Sequence, residues 1–205
     1  MAKKPDISLR KQAKQQRAIA TVEAIVEAAT YILTRDGPGA FTTQKVVEKA
    51  GVNIASFYQY FPNKQALLFH IAKSTWDRQL ARLAPILSEP GGNRPEKLKS
   101  FLREFFLIEA AEADLRRALR VAAIDLRETA EFQALIATGY KLTKAFLEET
   151  VGDQSTADLE FNVDFIVLLT TSFAERTTDQ GTAEATLIRQ ADLIADMLIE
   201  HFGIA

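Results

Sequence analysis

Two short helical segments joined through a single glycine constrain the fold more than any other feature of this sequence. Thr42 can cap a helix over residues 43–50, because its side chain can accept a hydrogen bond from a free N–H group of the first turn. Gly51 follows at a position where the end of a helix often requires positive φ. Asn53 can then cap a second helix over residues 54–60. The pattern predicts two short helices joined by a tight turn.

The rest of the sequence also predicts helices. Between Ile19 and Arg35 the apolar residues recur every three or four positions, which indicates one apolar helical face. No stretch alternates apolar and polar residues as a half-buried strand does, so we expect an all-α fold. A helix is expected from Lys64 to about Ala84, before Pro85. Five more helices, which bring the number to about nine, are expected at residues 96–113, 115–128, 130–151, 157–178 and 183–202.

Composition and periodicity divide the chain into three parts. Residues 1–18 form a basic tail that either follows the DNA backbone or enters its minor groove, or else serves as a mobile, solubilising end. Residues 19–64 are expected to form an N-terminal three-helix domain with the helix-turn-helix, and residues 65–205 a C-terminal helical domain. Residues 1–70 carry ten Lys and Arg against five Asp and Glu, whereas the rest of the chain carries 15 against 22. This distribution is either accidental or reflects a polyanion that only the first third of the chain meets.

The second short helix is predicted to present a face without acidic residues. The positions spaced to face a common core are Val46, Val47, Ala50, Val52, Phe57 and Phe61. The positions left to point outward are Ile54, Ala55, Ser56, Tyr58, Gln59 and Tyr60. An exposed helix of this composition can enter the major groove of DNA, where amides reach base edges and hydroxyls reach phosphates. The alternative is a plain helical hairpin with amphipathic tyrosines on its surface.

The residues from Thr42 to Leu67 resemble the DNA-binding region of the tetracycline-repressor (TetR) family. They read Thr-Thr-x-x-Val-Val-x-x-Ala-Gly-Val-x-x-x-x-Phe-Tyr-x-Tyr-Phe-x-Asn-Lys-x-x-Leu, and the similarity extends over about residues 19–70. The resemblance implies a transcriptional regulator that acts as a cytoplasmic homodimer, usually as a repressor bound to a palindromic DNA operator. It also implies that a small molecule entering the C-terminal ligand-binding and dimerisation domain releases the operator.

The resemblance further implies roles for individual residues, carried over by position. The residues expected to contact phosphate are Thr43, Tyr58, Tyr60 and Lys64. The residues expected to lie near base edges are Gln44, Ser56 and Gln59. Ile54 either contacts a thymine methyl group or packs within the protein. Ala55 departs from the Gly or Pro of many members, and we expect only a slight effect on the approach to the groove.

Effector-binding residues are expected among the aromatic and isolated polar side chains of residues 65–205. The candidates to line an apolar pocket between helices are Trp76, Phe105, Tyr140, Phe146, Asn162 and Phe165. For each aromatic side chain the alternative is a place in the hydrophobic core. We expect the effector to be a small, largely apolar molecule that shifts the helix beginning at Lys64. The alternative is a DNA-binding regulator without a small-molecule inducer, controlled by a protein partner.

The last two helices are expected to form a homodimer interface, because a helix that is apolar on more than one side needs more than one packing partner. The candidate interface residues are Phe173 on the eighth helix and Leu187, Ala191, Ile194 and Leu198 on the ninth. A two-fold dimer would match a palindromic operator whose half-sites lie about one helical turn, or a multiple of it, apart.

The composition argues against an enzyme, a metal site and a bound cofactor. The chain has no cysteine and only two histidines, His70 and His201, and neither lies in a recognisable catalytic or metal-binding motif. A glycine-rich phosphate-binding loop is also missing from the sequence. No segment approaches the roughly 18 uninterrupted apolar residues of a membrane span. We therefore expect a cytoplasmic protein with no membrane partner.

Overall fold

The computed structural model describes residues 5–10, 16–152 and 154–205. Over this part of the chain it has nine α-helices and no strand, which confirms the predicted all-α class. The helices are α1 (Gln16–Tyr31), α2 (Thr43–Ala50), α3 (Ile54–Tyr60), α4 (Lys64–Ser88), α5 (Arg94–Ala111), α6 (Ala113–Ala122), α7 (Ala130–Thr150), α8 (Thr156–Asp179) and α9 (Glu184–Phe202). Of the six basic residues of the tail, Lys3, Lys4, Lys11 and Lys14 lie outside the described residues.

The fourth helix runs further than the sequence predicts. Its expected end lies near Ala84, before Pro85, but α4 continues to Ser88. A proline inside a helix removes one N–H donor and costs about 3 kcal/mol. The last turn of α4 buries Leu87, which is 4% exposed. Burying a leucine side chain stabilises by about 1.5–3 kcal/mol, which offsets much of that cost.

Helices α1 and α6 end earlier than the sequence predicts. α1 stops at Tyr31, and the chain continues as a π-helical turn over Ile32–Asp36. α6 stops at Ala122, although a helix to residue 128 was expected. Thr129 instead caps α7, since its side-chain oxygen accepts a hydrogen bond at 3.3 Å from an N–H group of the first turn. A 3₁₀ turn over Ile124–Leu126 lies between the end of α6 and Thr129.

The helices form two compact units, and neither unit is a continuous stretch of the chain. The first consists of the described residues of Met1–Thr75 together with Asp114–Gln133. The second consists of Trp76–Ala113 together with Ala134–Ala205. The boundary expected from the sequence lies near residue 64. Periodicity identifies the apolar face of a helix but not the helix that covers it, so the place of α6 in the first unit was not predictable.

The first unit has one hydrophobic core. Of the predicted core positions, Val46, Val47, Phe57 and Phe61 are at most 4% exposed, and so are Ile25, Ala29 and Leu33. Ala118, Leu119 and Leu126 belong to the same core. The rings of Phe69 and Phe132 lie 6.4 Å apart between their centroids. Because Phe57 anchors α3 in this core, one side of α3 is fixed inward and the other is left to solvent.

The second unit packs α5 against α8 and α9. Two ion pairs join α5 to α9 at the edge of this packing. Arg103 meets Asp192 at two points, Nε to Oδ1 at 2.5 Å and Nη2 to Oδ2 at 3.0 Å, and Lys99 Nζ lies 2.8 Å from Asp196 Oδ1. The hydrogen bond that Lys99 donates to Asp196 raises the pKa of Lys99 above its usual value. Residues four apart lie one turn apart on a helix, so the two pairs fix the register of α5 against α9.

Candidate nucleic-acid interface

The connection between α2 and α3 has the geometry that the sequence predicts. Thr42 Oγ1 accepts a hydrogen bond from Lys45 N–H at 3.3 Å, and Asn53 Oδ1 accepts one from Ser56 N–H at 2.7 Å. Gly51 has φ 66° and ψ 29°, the left-handed conformation that glycine adopts without a steric penalty. Both short helices therefore begin at a side-chain cap, and the glycine sets the turn between them.

One side of α3 faces solvent. Ile54 and Tyr58 are 42% and 43% exposed, and Ala55 and Gln59 are exposed as well. Ser56 is half-buried. The helix contains no Asp or Glu, so this face can approach phosphates without charge repulsion. It presents a phenol and an amide that can donate hydrogen bonds to phosphates and to base edges.

Tyr60 is buried, so the expectation that it points outward is wrong. Its side chain is only 5% exposed. Tyr60 follows Phe57 by three residues, and residues three or four apart share one face of a helix. Phe61, four residues after Phe57, is fully buried on the same side. The hydroxyl group suggested exposure, but the helical phase places the ring in the core, and almost none of the side chain is left to reach a phosphate.

The remaining predicted DNA-contact residues lie at the beginnings of α2 and α4. Thr43 is half-buried and Gln44 is exposed in the first turn of α2. Gln44 Nε2 donates a hydrogen bond to Glu48 Oε1 at 2.7 Å, so its amide is held by its own helix. Lys64 is exposed as the first residue of α4. Asn63 caps that helix, since its Oδ1 accepts an N–H hydrogen bond at 2.8 Å from the first turn.

A short N-terminal segment packs against this site, and sequence reasoning missed it. Ile7 is 3% exposed and belongs to the core of the first unit. Asp6 O accepts a hydrogen bond from Asn63 Nδ2 at 2.8 Å. Arg10 N–H donates to Tyr60 O at 3.0 Å. The signal in the sequence was a single isoleucine within a basic stretch, which is too little to identify a docked segment.

Two ring contacts support the helix-turn-helix. Lys49 Nζ lies 3.4 Å from the centroid of the Tyr31 ring, a cation–π contact that ties the end of α2 to the end of α1. The His70 ring lies 5.6 Å from the Phe61 ring, between centroids. Burial, with the charge of Lys73 as a smaller cause, lowers the pKa of His70. His70 is therefore neutral at neutral pH and packs as an aromatic side chain.

The six predicted effector-binding residues do not line one cavity. The second unit contains a cavity of about 30 Å³, whose lining includes Phe146 but none of the other five. Trp76 Nε1 donates to Thr138 Oγ1 at 3.1 Å, and Phe165 is 47% exposed. Three others pair with side chains of the same unit. The Phe105 ring stacks with Phe101, Tyr140 hydrogen-bonds to Asp164, and Asn162 Nδ2 donates to Gln154 Oε1.

The cavity has an apolar interior. Its lining includes Leu87 from α4, three residues of α5 and the ring of Phe146 from α7. Thr143 and Thr170 also line it. The hydroxyl of Thr143 donates to a main-chain carbonyl at 3.2 Å and that of Thr170 to another at 2.7 Å. Because both hydroxyl protons are used within the protein, the cavity suits a hydrocarbon group.

Four of the predicted dimer-interface residues are buried inside their own unit. Leu187, Ala191, Ile194 and Leu198, all on α9, are at most 6% exposed. The expectation that they form a surface is wrong, because α5 of the same chain packs against α9. Phe173 on α8 is half-buried, with its ring centroid 6.0 Å from that of Phe106.

A different set of apolar side chains is exposed on α8 and α9. On α8 these are Phe161, Phe165 and Leu168, at 70%, 47% and 65% exposure. On α9 they are Leu193 and Met197, at 61% and 58%. Within each helix they recur every three or four residues and so share a face. Groups of exposed apolar residues on a protein surface mark interaction sites.

The described residues contain neither a membrane-spanning helix nor a cluster of metal-binding side chains. Within residues 5–10, 16–152 and 154–205, no helix combines the length and the apolar character needed to cross a membrane. In the same ranges no three His, Cys, Asp or Glu side chains lie together in a group that could hold a metal ion.

The fold and the site define a class of protein. A capped helix-turn-helix whose second helix exposes an acid-free face, at the start of an all-helical chain, is the arrangement of helix-turn-helix transcription regulators. Residues 25–71 match the family model for bacterial regulatory proteins of the tetR family. The match covers the helix-turn-helix and parts of the helices before and after it, so this part of the chain is similar to that family.

Solved structures share the fold over most of the chain. The fatty acid degradation regulator FadR from Bacillus halodurans superposes with a TM-score of 0.72 at 16% identity, covering 90% of this chain and 96% of that one. A tetR-family regulatory protein from Rhodococcus RHA1 gives 0.67 at 18% identity, covering 90% and 98%. FadR from Bacillus subtilis, solved in complex with stearoyl-CoA, gives 0.65 at 16% identity, covering 86% and 97%. No curated protein matches the sequence.

Proposed function

We propose that the chain is a transcriptional repressor, of which two copies place α3 in successive major grooves of a palindromic DNA operator. The exposed, acid-free face of α3 carries this proposal. Tyr58 on that face and Lys64 at the start of α4 supply phosphate contacts, together with Thr43. Gln59 and Ser56 lie where a recognition helix presents side chains to base edges. Ile54, 42% exposed, is placed to contact a thymine methyl group.

DNA binding is tested with a labelled duplex from the region upstream of the chain's own gene. Fluorescence anisotropy across a salt series should show log K falling linearly with log salt concentration, by about 0.9 for each phosphate neutralised. A shuffled duplex of the same length is the control. Absence of binding even at low salt would overturn the proposal. Equal affinity for both duplexes would mean that the upstream duplex contains no specific operator and that the chain binds DNA only nonspecifically.

A second copy of the chain is the proposed occupant of the exposed apolar residues of α8 and α9. Homodimers with two-fold symmetry are the most common assemblies of soluble proteins. A two-fold dimer presents two recognition helices to the two halves of a palindrome. The exposed set includes Phe161, Leu168 and Met197, each more than half exposed, and a large apolar side chain gains about 1.5–3 kcal/mol on full burial.

The proposed effector is a small, largely apolar molecule that enters the second unit at the cavity beside Phe146. The apolar lining and the internally bonded threonine hydroxyls favour a hydrocarbon chain. FadR from Bacillus subtilis was solved with stearoyl-CoA, so acyl-CoA is the first ligand class to test. The present volume of about 30 Å³ is of the order needed for one or two waters. An acyl chain would therefore have to separate the lining helices.

The proposed coupling runs through α4, which begins at Lys64 and carries Leu87 of the cavity lining near its other end. A ligand shifts an equilibrium only by its difference in affinity for the two states. The ligand must therefore bind best to a conformation in which the start of α4 no longer suits the operator. Through this conformation it would release the DNA.

The effector is tested by thermal denaturation and by displacement of labelled operator. Long-chain acyl-CoA should raise the melting temperature and lower operator affinity, whereas free CoA should do neither. Thr143→Leu fills the cavity and should abolish both effects without weakening DNA binding in the absence of ligand. If no apolar compound changes either quantity, the small-molecule part is wrong, and control by a protein partner becomes the better explanation.

A further inference from the structure

The segment Pro5–Arg10, named here the N-terminal arm, is docked on the helix-turn-helix. Its Ile7 side chain is 3% exposed in the core of the first unit. Asp6 O accepts a hydrogen bond from Asn63 Nδ2, the same side chain that caps α4. We propose that this docking makes Arg10 a phosphate-binding residue of the DNA interface. The proposal rests on the proposed DNA-binding function and adds to it a residue outside the helix-turn-helix.

Arg10 is tied to the end of the DNA-facing helix. The last carbonyl groups of a helix have no N–H partner within it. Arg10 N–H donates to Tyr60 O at 3.0 Å, and Arg10 Nη1 donates to Tyr58 O at 3.4 Å. A positive charge at the carboxyl end of a helix also interacts favourably with the helix dipole. The main chain of Arg10 is thus fixed at the last turn of α3, whose exposed side carries Tyr58.

The side chain of Arg10 retains the capacity to bind a phosphate. Arg10 is exposed. A guanidinium has five N–H donors, and the contact with Tyr58 O uses one of them. Two parallel N–H donors match the oxygens of a phosphate. Arg10 and Lys64 therefore provide two exposed cations near the junction of α3 and α4, one from the arm and one from α4.

Asp6 is the acidic residue of the arm and opposes this charge. Its carboxylate accepts hydrogen bonds from Ser8 Oγ at 2.6 Å and from Ser8 N–H at 3.1 Å. These bonds lower the pKa of Asp6, and Arg10 contributes a smaller effect in the same direction. The acid is therefore ionised at neutral pH and attenuates the field of Arg10. Its removal should strengthen DNA binding if Arg10 faces a phosphate.

The first test compares the full chain with Arg10→Gln on the upstream duplex across a salt series. The slope of log K against log salt concentration is negative, and the variant should reduce its magnitude by about 0.9 per protomer. Arg10→Lys should restore most of the slope, since it keeps the charge. Arg35→Gln, the same change on the π-helical turn of the first unit, is the control and should leave the slope unchanged. A slope for Arg10→Gln equal to that of the unaltered chain would overturn the proposal.

The second test separates docking from charge. Ile7→Ser leaves every charge in place but removes the buried anchor, and it should reduce the slope by the same amount as Arg10→Gln. Asp6→Asn can still accept the Ser8 hydrogen bonds and should raise affinity at low salt. An unchanged slope in Ile7→Ser, or lower affinity in Asp6→Asn, would contradict the proposal. If the unaltered chain itself does not bind DNA, the proposed function fails with it; if it binds and the Arg10 variants are indistinguishable from it, only this inference fails.

Discussion

Asn53 and Ser56 set the position at which α3 begins. Asn53 Oδ1 accepts a hydrogen bond from Ser56 N–H at 2.7 Å, two residues after the left-handed Gly51. This bond satisfies one of the N–H groups that a helix start leaves without a partner. It also fixes the phase of α3, and the phase decides that Tyr58 faces solvent while Phe57 faces the core.

Asn53→Ala should destabilise the first unit by about 0.5–2 kcal/mol, the usual effect of losing a side-chain cap. The change is measured as the shift in the urea-unfolding transition. Asn53→Ser retains a capping oxygen and should recover most of the loss. Asn53→Asp should also remain stable but bind DNA more weakly, because it places a negative charge beside the phosphates. Equal stability of the Ala and Ser variants would show that the cap contributes nothing.

Tyr58 and Tyr60 should behave in opposite ways despite being two residues apart. Tyr58→Ala should weaken binding to specific and shuffled DNA alike and change stability by no more than about 0.5 kcal/mol, as expected for a surface position. Tyr60→Ala removes a buried ring and should cost about 3–5 kcal/mol of unfolding free energy. Anisotropy and urea unfolding distinguish the two. A folded, stable Tyr60→Ala that loses DNA affinity would reverse the assignment.

Gln59 is expected to influence which base the protein prefers. Gln59→Ala should change discrimination at one position of each half-site by about 1–3 kcal/mol, while shuffled DNA is bound as before. Competition with single-base variants of the operator measures this. A uniform loss on all sequences would instead place Gln59 at a phosphate.

Glu48 should weaken DNA binding, because it holds the amide of Gln44 at 2.7 Å and adds a negative charge on α2. Glu48→Ala should therefore raise DNA affinity and steepen the salt dependence. Gln44→Ala alone should have a smaller effect than Gln59→Ala, since the Gln44 amide is already engaged. Weaker binding by Glu48→Ala would mean that the pair positions Gln44 for contact with the duplex.

His70 should make the first unit less stable in mild acid. Its pKa is lowered in the folded state by burial and by Lys73, whereas the unfolded value is about 6.5. As the pH falls below about 6.5 the unfolded chain takes up a proton that the folded chain does not, so the free energy of unfolding decreases. Above that pH the imidazole is neutral in both states and has no effect. The urea midpoint should decrease as the pH is lowered from 7.5 to 5.5. His70→Gln should reduce this dependence of the midpoint on pH. An unchanged pH dependence in the variant would assign the effect to other groups.

The exposed apolar residues of α8 and α9 should hold the dimer together. Leu168→Glu and Met197→Glu each place a charge on this surface and should give monomers by light scattering after gel filtration, with weaker operator binding. Val121→Glu is the matched control, since Val121 is an apolar residue of the first unit that is 60% exposed. A dimer that survives both substitutions, or one that is lost only in Val121→Glu, would place the interface elsewhere.

Local sequence determined the helix-turn-helix. Thr42, Gly51 and Asn53 act within three or four residues of themselves, through caps and a left-handed turn, so their roles do not depend on distant parts of the chain. Phe57 and Phe61 were identified as core residues by spacing alone. The all-helical class followed in the same way, because periodicity reflects one helix at a time.

Tertiary packing decided what the other apolar residues do. Leu187 and Leu198 form an apolar stripe in the sequence, and nothing local indicates that α5 covers it and leaves Leu193 and Met197 exposed. Ile7 is a single apolar residue in a basic segment, and its role depends on a gap in a core formed mainly by residues 25–71. An apolar helix face must pack against another element, but the sequence of that helix does not identify which element covers it. The choice of partner depends on contacts between distant segments of the chain. Here those contacts decided that the segment of Ile7 packs beside α3 and which face of α9 remains exposed.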